Sequence, residues 1–373
     1  MFPDFLKKNL ELIESPAKIA WKRFRKNYLA VGTLVFISLI TIIATLGYLI
    51  TPDSTPNAND IDLALALQRP GFKIQLLELR KVTEQSNQNL LKTLLWGEQK
   101  QYESIPLVNY VVDKDSLKVK VYRGTGLLAT TRTFSMNDID TNNFIKQKTF
   151  WLGTDMFGRD ILSRIIIGLR VSLSVGFIAV IISLFIGIIL GSAAGFFRGN
   201  TDEVITWLIN VVWSIPTILL VFAITLAVGK GFFGIFIAVG LTMWVSVARI
   251  IRGQVLSLRE MEYVEAARSM GFNNWRIILR HIIPNVLGPV LVVASANFAT
   301  AILTEAGLSF LGIGVQPPMP SLGTMVKENY GFIIGNNPFL AIIPGIAIML
   351  LVLAFNIIGN ALRDALDIKS KSV

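Results

Sequence analysis

The sequence predicts an all-α membrane protein of six transmembrane helices, with a small α+β insertion between the first two. Three observations carry that expectation. Hydrophobic residues fill 53% of the 373 positions and charged residues only 16%, whereas a water-soluble chain holds about 25% charged. The apolar excess is gathered into six long uncharged blocks, and a bilayer-crossing helix takes about 20 apolar residues. Among the short connecting segments Arg and Lys are concentrated on the side assigned to the cytoplasm, as the positive-inside rule requires, while the long segment 51–165 is charged in both signs and translocates regardless of charge.

The first block, Tyr28 to Ile50, follows Lys18, Lys22, Arg23, Arg25 and Lys26. A cleavable signal peptide would have a shorter apolar core nearer the N-terminus, ending in small residues. This one ends in Tyr48-Leu49-Ile50-Thr51-Pro52 and reads as a retained helix. The other five blocks are Val171–Phe197, Val204–Gly229, Gly231–Ala248, Ile282–Thr304 and Pro338–Leu362, with no carboxylate inside any of them. The basic segment 1–27 places the first helix start in the cytoplasm. Counting forward, 197–203, 249–283 and 363–373 are cytoplasmic, with Lys369 to Val373 a frayed tail. Segment 249–283 carries Arg249, Arg252, Arg259, Arg268, Arg276 and Arg280, while the short outer turn near 230 offers only Lys230. The expected organisation is a cytoplasmic segment 1–27, a first span 28–50, an extracytoplasmic insertion 51–165, a five-helix core 166–362 and a tail 363–373. The chain is then multi-pass in an inner or plasma membrane, with both termini cytoplasmic.

Within the insertion, Ile74–Trp96 reads as a helix on its leucine spacing. Leu107–Val112, Leu117–Tyr122 and Leu127–Phe134 alternate like strands, separated by turn signals at Asp113-Lys114-Asp115 and Arg123-Gly124-Thr125-Gly126. A flexible spacer is the alternative. No catalytic constellation stands out there.

Several chemistries are excluded or disfavoured by residue counts. No cysteine is present and His281 is the single histidine, which removes disulfides, thiolate nucleophiles and multi-His metal sites. His281, beside Arg280, reads as an interfacial residue. The net charge of +10, from 35 Lys+Arg against 25 Asp+Glu, suits cytoplasmic loops facing anionic lipid. No basic stripe interleaved with aromatics points to nucleic acid. No phosphate-binding G-x-x-x-x-G-K-[ST] occurs, since Gly229-Lys230-Gly231 lacks the rest of it. The chain is therefore expected to be no enzyme, to bind no cofactor, and to draw energy from another subunit. Lack of intramembrane carboxylates also weakens an ion-coupled carrier.

The stretch from Met261 to Asn285 is the most informative. Tyr263–Met270 reads as a short helix with Ala266 and Ala267 on one side, stopped by Gly271 in a left-handed conformation. A second helix runs to Pro284, which opens the fifth span with a preset φ. Two short helices joined at a glycine make a surface another protein can grip, or an interfacial elbow with no partner. The pattern Glu265-Ala266-Ala267-x3-Gly271, with Pro284 thirteen residues after the glycine, resembles the EAA loop of ABC-importer permeases. That resemblance implies the binding-protein-dependent permease fold and a coupling helix docking into a cytoplasmic ATPase.

Two further segments resemble the second permease of dipeptide and oligopeptide importers. One is Leu152-Gly153-Thr154-Asp155-x-x-Gly158-Arg159-Asp160-x-x-Ser163-Arg164, ahead of the second span. The other is Leu308-Ser309-Phe310-Leu311-Gly312-Ile313-Gly314-Val315-Gln316-Pro317-Pro318. Physically, the first is a polar turn in which Asp155 accepts bonds at a helix start and Arg159 pairs with Asp160 or Asp155. It serves as a capping device or as part of an outer gate. The second is too rich in Gly and Pro for a regular span and reads as a re-entrant element covered by protein or lining a cavity, with Glu305 solvated at its edge. The resemblance covers the first span and about 150–365, but not about 60–145. It implies a homologous second permease, two cytoplasmic ATP-binding subunits, an extracytoplasmic solute-binding protein and a lipid bilayer as partners. Nickel chelates, antimicrobial peptides or glycopeptides are alternative cargoes, and a self-powered carrier or channel is an alternative function.

Helix packing is also legible. Gly187, Gly191 and Gly195 leave one face of the second span as bare backbone, open to close approach by another helix. Pro216, after Trp213 and Ser214, should kink the third.

Overall fold

The computed structural model describes residues 16–80, 89–100, 102–113, 116–124, 127–135 and 144–367. In chain order its elements are α1 (Pro16–Lys26), α2 (Tyr28–Thr45), α3 (Gly47–Ile50), β1 (Phe72–Arg80), α4 (Leu90–Trp96), β2 (Tyr102–Asp113), β3 (Ser116–Val121), β4 (Thr130–Ser135) and β5 (Ile145–Phe150). They continue with α5 (Ile161–Phe197), α6 (Gly199–Ser214), α7 (Thr217–Val228), α8 (Phe232–Leu258), α9 (Glu262–Ser269), α10 (Asn274–Ile277), α11 (Ile283–Phe310), α12 (Leu322–Asn329) and α13 (Phe339–Leu366). Five helices among the described residues are long and apolar enough to cross a membrane, or six if the bent pair α6 and α7 counts as one span. The frayed tail and residues 114, 115, 125 and 126 of the expected turns lie outside the described residues.

The chain divides into two compact units. The first gathers residues up to 39, 173–308 and from 348 onward, and is helical. The glycine face of α5 packs closely against α8. A Cβ on Gly187 would fall 2.5 Å from Cβ of Val247, one on Gly191 2.5 Å from the Ala248 carbonyl oxygen, and one on Gly195 2.8 Å from Cβ of Val255. Glycines every fourth residue thus receive branched residues every fourth residue, which is how helices in lipid approach closely without a hydrophobic driving force. The expected kink at Pro216 is a break: α6 and α7 meet at 94°. Proline lacks an N–H and pushes its predecessor out of the helical region, and Ile215 is extended at φ −90°, ψ 128°.

The fifth span also differs from expectation. No helix ends at Pro284. One run of 37 residues continues from Asn274 to Phe310, passing through a wide π turn at Ile278–Ile282. A wider register just ahead of the proline accommodates its ring and missing donor. This helix takes in Glu305, which is fully buried and not solvated at an edge.

The second unit comprises 40–172 and 309–347. It contains a five-stranded antiparallel sheet of order β4-β3-β2-β1-β5. The expected helix Ile74–Trp96 is not formed as such: 72–80 is the strand β1, 90–96 is the short helix α4, and 81–88 lie outside the described residues. Both faces of β1 are covered, which is why its leucines mimic a helical stripe. Ile74 and Leu76 pack with Leu65 and Phe150 on one side. Leu77 packs with Leu107, Leu117, Val119 and Val121 on the other. β1 is flanked on both edges, pairing with β2 through Leu77↔Ile105 and with the edge strand β5 through Phe72↔Phe150. α5 starts ten residues before the expected Val171, so Arg164 and Arg170 lie within the helix.

Candidate functional site

In the first unit, the segment after α8 forms an elbow of two helices. α9 presents Val264 and Ala267 to a core containing Phe196, Ile251, Val255, Ile277, Ile278 and Ile282. Glu265 and Ala266 face outward, so the two alanines do not share a side as expected: at 100° per residue, position 267 follows 264 and not 266. Glu262 and Glu265 in the first turn and Arg268 in the last suit the helix dipole. Gly271 ends α9 at φ +76°. The Phe272 N–H donates to the Ala267 carbonyl at 3.2 Å and the Gly271 N–H to the Arg268 carbonyl at 2.9 Å, the paired bonds of a glycine-terminated helix. The Asn273 side chain then accepts from the Trp275 N–H to start α10. Phe272 stacks on His281 at 6.0 Å and Arg276 lies 4.5 Å over its ring. Met270 and Trp275 are more than half exposed, and Tyr263 is 40% exposed. The elbow therefore has a buried apolar seat beneath, and above it Tyr263, Met270 and Trp275 stand among the exposed charges of Glu262, Glu265, Arg268 and Arg276. Pro284 is exposed, one residue into α11.

In the second unit, residues 153–164 build a buried ionic cluster. The Asp155 carboxylate accepts from the Phe157 and Arg159 N–H groups at 2.9 and 3.0 Å and from Arg159 Nε at 2.7 Å. Of the two pairings open to Arg159, Asp155 is the one formed. Asp160 caps α5, accepting from the Ser163 N–H at 2.9 Å and from its hydroxyl. Burial pushes the Asp160 carboxyl above its ordinary range, and the Ser163 bonds pull it back only in part. Asp62 is raised for the same leading reason. Gly153 and Gly158 have φ of +79° and +77°, and a Cβ on either would collide with the carbonyl of Gln68 or Asp62. Both glycines are therefore demanded by backbone shape and by close approach.

Two guanidinium groups, Arg159 and Arg164, are almost fully buried there, and Asp155 alone does not balance them. Glu328 of α12 does: its carboxylate lies 2.8 Å from Arg159 Nη2 and 3.2 Å from Arg164 Nη2. Arg159 also donates to Asn59 Oδ1 at 3.2 Å. Sequence reasoning missed Glu328, although an unbalanced arginine pair signals a missing carboxylate. Arg164 Nη1 and Asp160 Oδ1 are buried with no hydrogen-bond partner.

The segment 308–318 corrects a further expectation. Leu308, Ser309 and Phe310 are the last turn of α11, not irregular backbone. Irregular chain begins at Leu311, with Gly312 at φ +84°. The Ser309 hydroxyl accepts from the Val315 N–H at 3.1 Å, and Gln316 Nε2 donates to the Gly314 carbonyl at 2.9 Å. Gly314 is packed so closely on Ser309 that a Cβ would fall 2.6 Å from its Cα. Phe310 meets the Tyr330 ring edge-on at 5.8 Å, and Pro317 is exposed. The three groups of residues thus lie on separate elements: the elbow in one unit, the ionic cluster and the Gly312–Pro317 loop in the other.

Residues 183–371 match the family model of the binding-protein-dependent transport system inner membrane component, and residues 15–70 that of the N-terminal TM domain of oligopeptide transport permease C. The chain belongs to the binding-protein-dependent inner membrane permease family. It is similar to the glutathione transport system permease protein GsiD of Pectobacterium atrosepticum, 43% identical over 63% of this chain and 78% of that one. The oligopeptide transport system permease protein OppC of Bacillus subtilis is 40% identical over 63% of this chain and 79% of its own. The dipeptide transport system permease protein DppC of Alkalihalophilus pseudofirmus is 45% identical over 60% and 73%. The permease is thus a transport subunit of an ATP-driven importer and a multi-pass membrane protein. Residues 71–182, with the sheet and the 153–164 part of the ionic cluster, fall between the two matched regions, while Glu328 and Asn59 lie within them.

Proposed function

We propose that the permease carries short peptides across the membrane, sharing a translocation path with a homologous second permease and coupling through its elbow to two cytoplasmic ATPases. The observation that carries this reading is the α9–Gly271–α10 elbow: a short helix seated on a buried apolar core, with Glu265, Tyr263, Met270 and Trp275 turned outward. A packed apolar seat under a crest that mixes apolar and charged side chains suits a lever that must transmit force. Differential contacts of that crest with an ATPase in its two states would bias the helices it joins. Energy then comes from ATP hydrolysis in the partner subunits, and this chain needs no cofactor.

Peptide cargo is supported by relatives named for dipeptide, oligopeptide and glutathione transport, whose shared chemistry is the short peptide. The arginines of 249–283 support a cytoplasmic elbow with both termini on that side. The insertion 51–165 would then lie outside, where an extracytoplasmic binding protein delivers substrate to a surface including the exposed Met156 of the 153–160 turn and the Gly312–Pro317 loop. The natural absence of cysteine makes single-cysteine labelling at 265 and 128 a clean test of sidedness. Function is tested by purifying tagged chain in mild detergent and identifying what accompanies it by mass spectrometry. The proposal expects a P-loop ATPase and a second multi-span permease, both lost when Glu265–Gly271 is replaced. A monodisperse homo-oligomer with no ATPase would overturn it.

A further inference from the structure

A cavity of about 580 Å³ opens over the five-stranded sheet, which neither matched region includes. Its volume lies in the usual range for small-molecule sites. The floor is apolar: Leu65, Leu76 and Phe150, with Tyr122 beside them, belong to one packed cluster. Charge is divided between two ends. Arg123 follows β3 and Arg132 lies on the edge strand β4. Both are exposed, and neither has a hydrogen-bond or ion-pair partner among the described residues.

The other end lies beyond β5. Asp62 is held there, its N–H donating to the Phe157 carbonyl at 3.1 Å, and Asp160 begins α5 beside it. The Asp160 side chain keeps one oxygen, Oδ1, buried with no hydrogen-bond partner. Burial raises both carboxyls, and hydrogen bonds and the charge of Lys148 offset it only in part. Lys148 itself sits 5.1 Å over the Phe150 ring. Between the two ends, Lys100 and Asp60 satisfy each other at 2.8 Å, and Glu103 is exposed on β2.

A ligand that answers both ends carries an anion at one, a cation at the other and apolar groups between. A phosphate or nucleotide meets the carboxylates with like charge, and a polyamine does the same at the arginines. In the sheet order, β3 and β5 are three strand spacings apart, about 14 Å, and the arginine side chains span part of that. An extended chain advances about 3.3–3.6 Å per residue, so about three residues fill the remainder.

We infer that this cavity binds short zwitterionic peptides, the C-terminal carboxylate on Arg123 and Arg132 and the N-terminal ammonium at Asp160 and Asp62. The inference rests on reading the chain as a peptide-importer subunit with its sheet outside, and adds a peptide contact on the permease itself. The full chain in phosphatidylcholine nanodiscs, without ATPases or binding protein, is titrated with labelled trialanine by equilibrium dialysis. Saturable binding is expected. Acetylating the N-terminus or amidating the C-terminus of the peptide should each weaken it about tenfold, the effect of losing one charge-assisted contact; these arms need no variant. R123Q/R132Q should bind trialanine about tenfold more weakly and stop distinguishing it from its amide, while R123K/R132K should still distinguish them. No saturable binding, equal affinity for the blocked peptides, undiminished discrimination in R123Q/R132Q, or displacement by inorganic phosphate would each overturn the inference. Uptake by the complete assembly separates the two readings. ATP-driven uptake without binding here defeats the cavity assignment alone, whereas binding here without ATP-driven uptake defeats the transport reading alone.

Discussion

Glu328→Gln removes one charge and almost no volume, and its cost follows from the geometry of the ionic cluster. The carboxylate serves Arg159 at 2.8 Å and Arg164 at 3.2 Å. The two arginine side chains are only 5% and 2% exposed, and Glu328 itself is 20% exposed. With the carboxylate gone, Asp155 faces two guanidinium groups, one of which has a nitrogen already without a partner. Removing one partner of a buried ion pair costs about 3–5 kcal/mol, and the partial exposure of Glu328 places this case near 3 kcal/mol. That is a change of about 150-fold in the equilibrium between docked and undocked α12. Amide hydrogen exchange of the full chain in lipid nanodiscs reads it directly. Amides of Leu322–Asn329 and of 153–161 should exchange about two orders of magnitude faster than in wild type. Adding Arg159→Gln to Glu328→Gln should recover part of the loss, because it removes the charge left unpaired. Exchange within a few-fold of wild type in the single variant would refute the claim that Glu328 ties α12 to the start of α5.

Other outcomes follow from single features. Gly191→Leu drives a side chain into the Ala248 backbone and should destabilise the α5–α8 contact by at least about 1–3 kcal/mol, seen as a lowered thermal midpoint, while Gly253→Ala, with open space around it, should not. Gly271→Asn should be mild, since no atom lies within 4 Å of its added Cβ and asparagine tolerates a left-handed φ. Gly271→Pro cannot adopt φ +76° and should abolish ATP-dependent transport while leaving membrane insertion intact. For pH, Asp160 and Asp62 bind protons more tightly folded than unfolded, so their contribution to stability is greatest below the ordinary carboxylate pKa. It declines as pH rises from there through the raised values. Asp160→Asn with Asp62→Asn, which keeps an acceptor for the Ser163 N–H and for the Ala64 N–H that Asp62 Oδ1 takes at 3.0 Å, should flatten the midpoint-against-pH curve over that window.

The spans were legible because long uncharged runs have one stable solution in lipid. Their ends were not. α5 extends back to Ile161 because Asp160 caps it and because Glu328, from far along the chain, neutralises Arg164 within its first turn. Glu305 joined a helix for a related reason: backbone hydrogen bonding continues to Phe310 whatever the side chains carry. Hydropathy alone reports neither. The Gly187, Gly191, Gly195 stripe predicted its close contact because four-residue spacing fixes a face without any partner's identity. The insertion misled where leucines filled both faces of β1, erasing the two-residue alternation that marks a half-buried strand. In the elbow, motif and glycine stop were readable. The division between buried Ala267 and outward Ala266 needed the core beneath them.

The central claim is that this chain moves short peptides only when cytoplasmic ATPases drive its elbow. Its most direct test is uptake of a labelled dipeptide into proteoliposomes holding the purified assembly, with ATP supplied on the elbow side. The account predicts uptake that requires ATP and the binding protein, and that falls to background when Glu265–Gly271 is replaced although the chain still inserts. Equal uptake by this chain alone, without ATP, would contradict it.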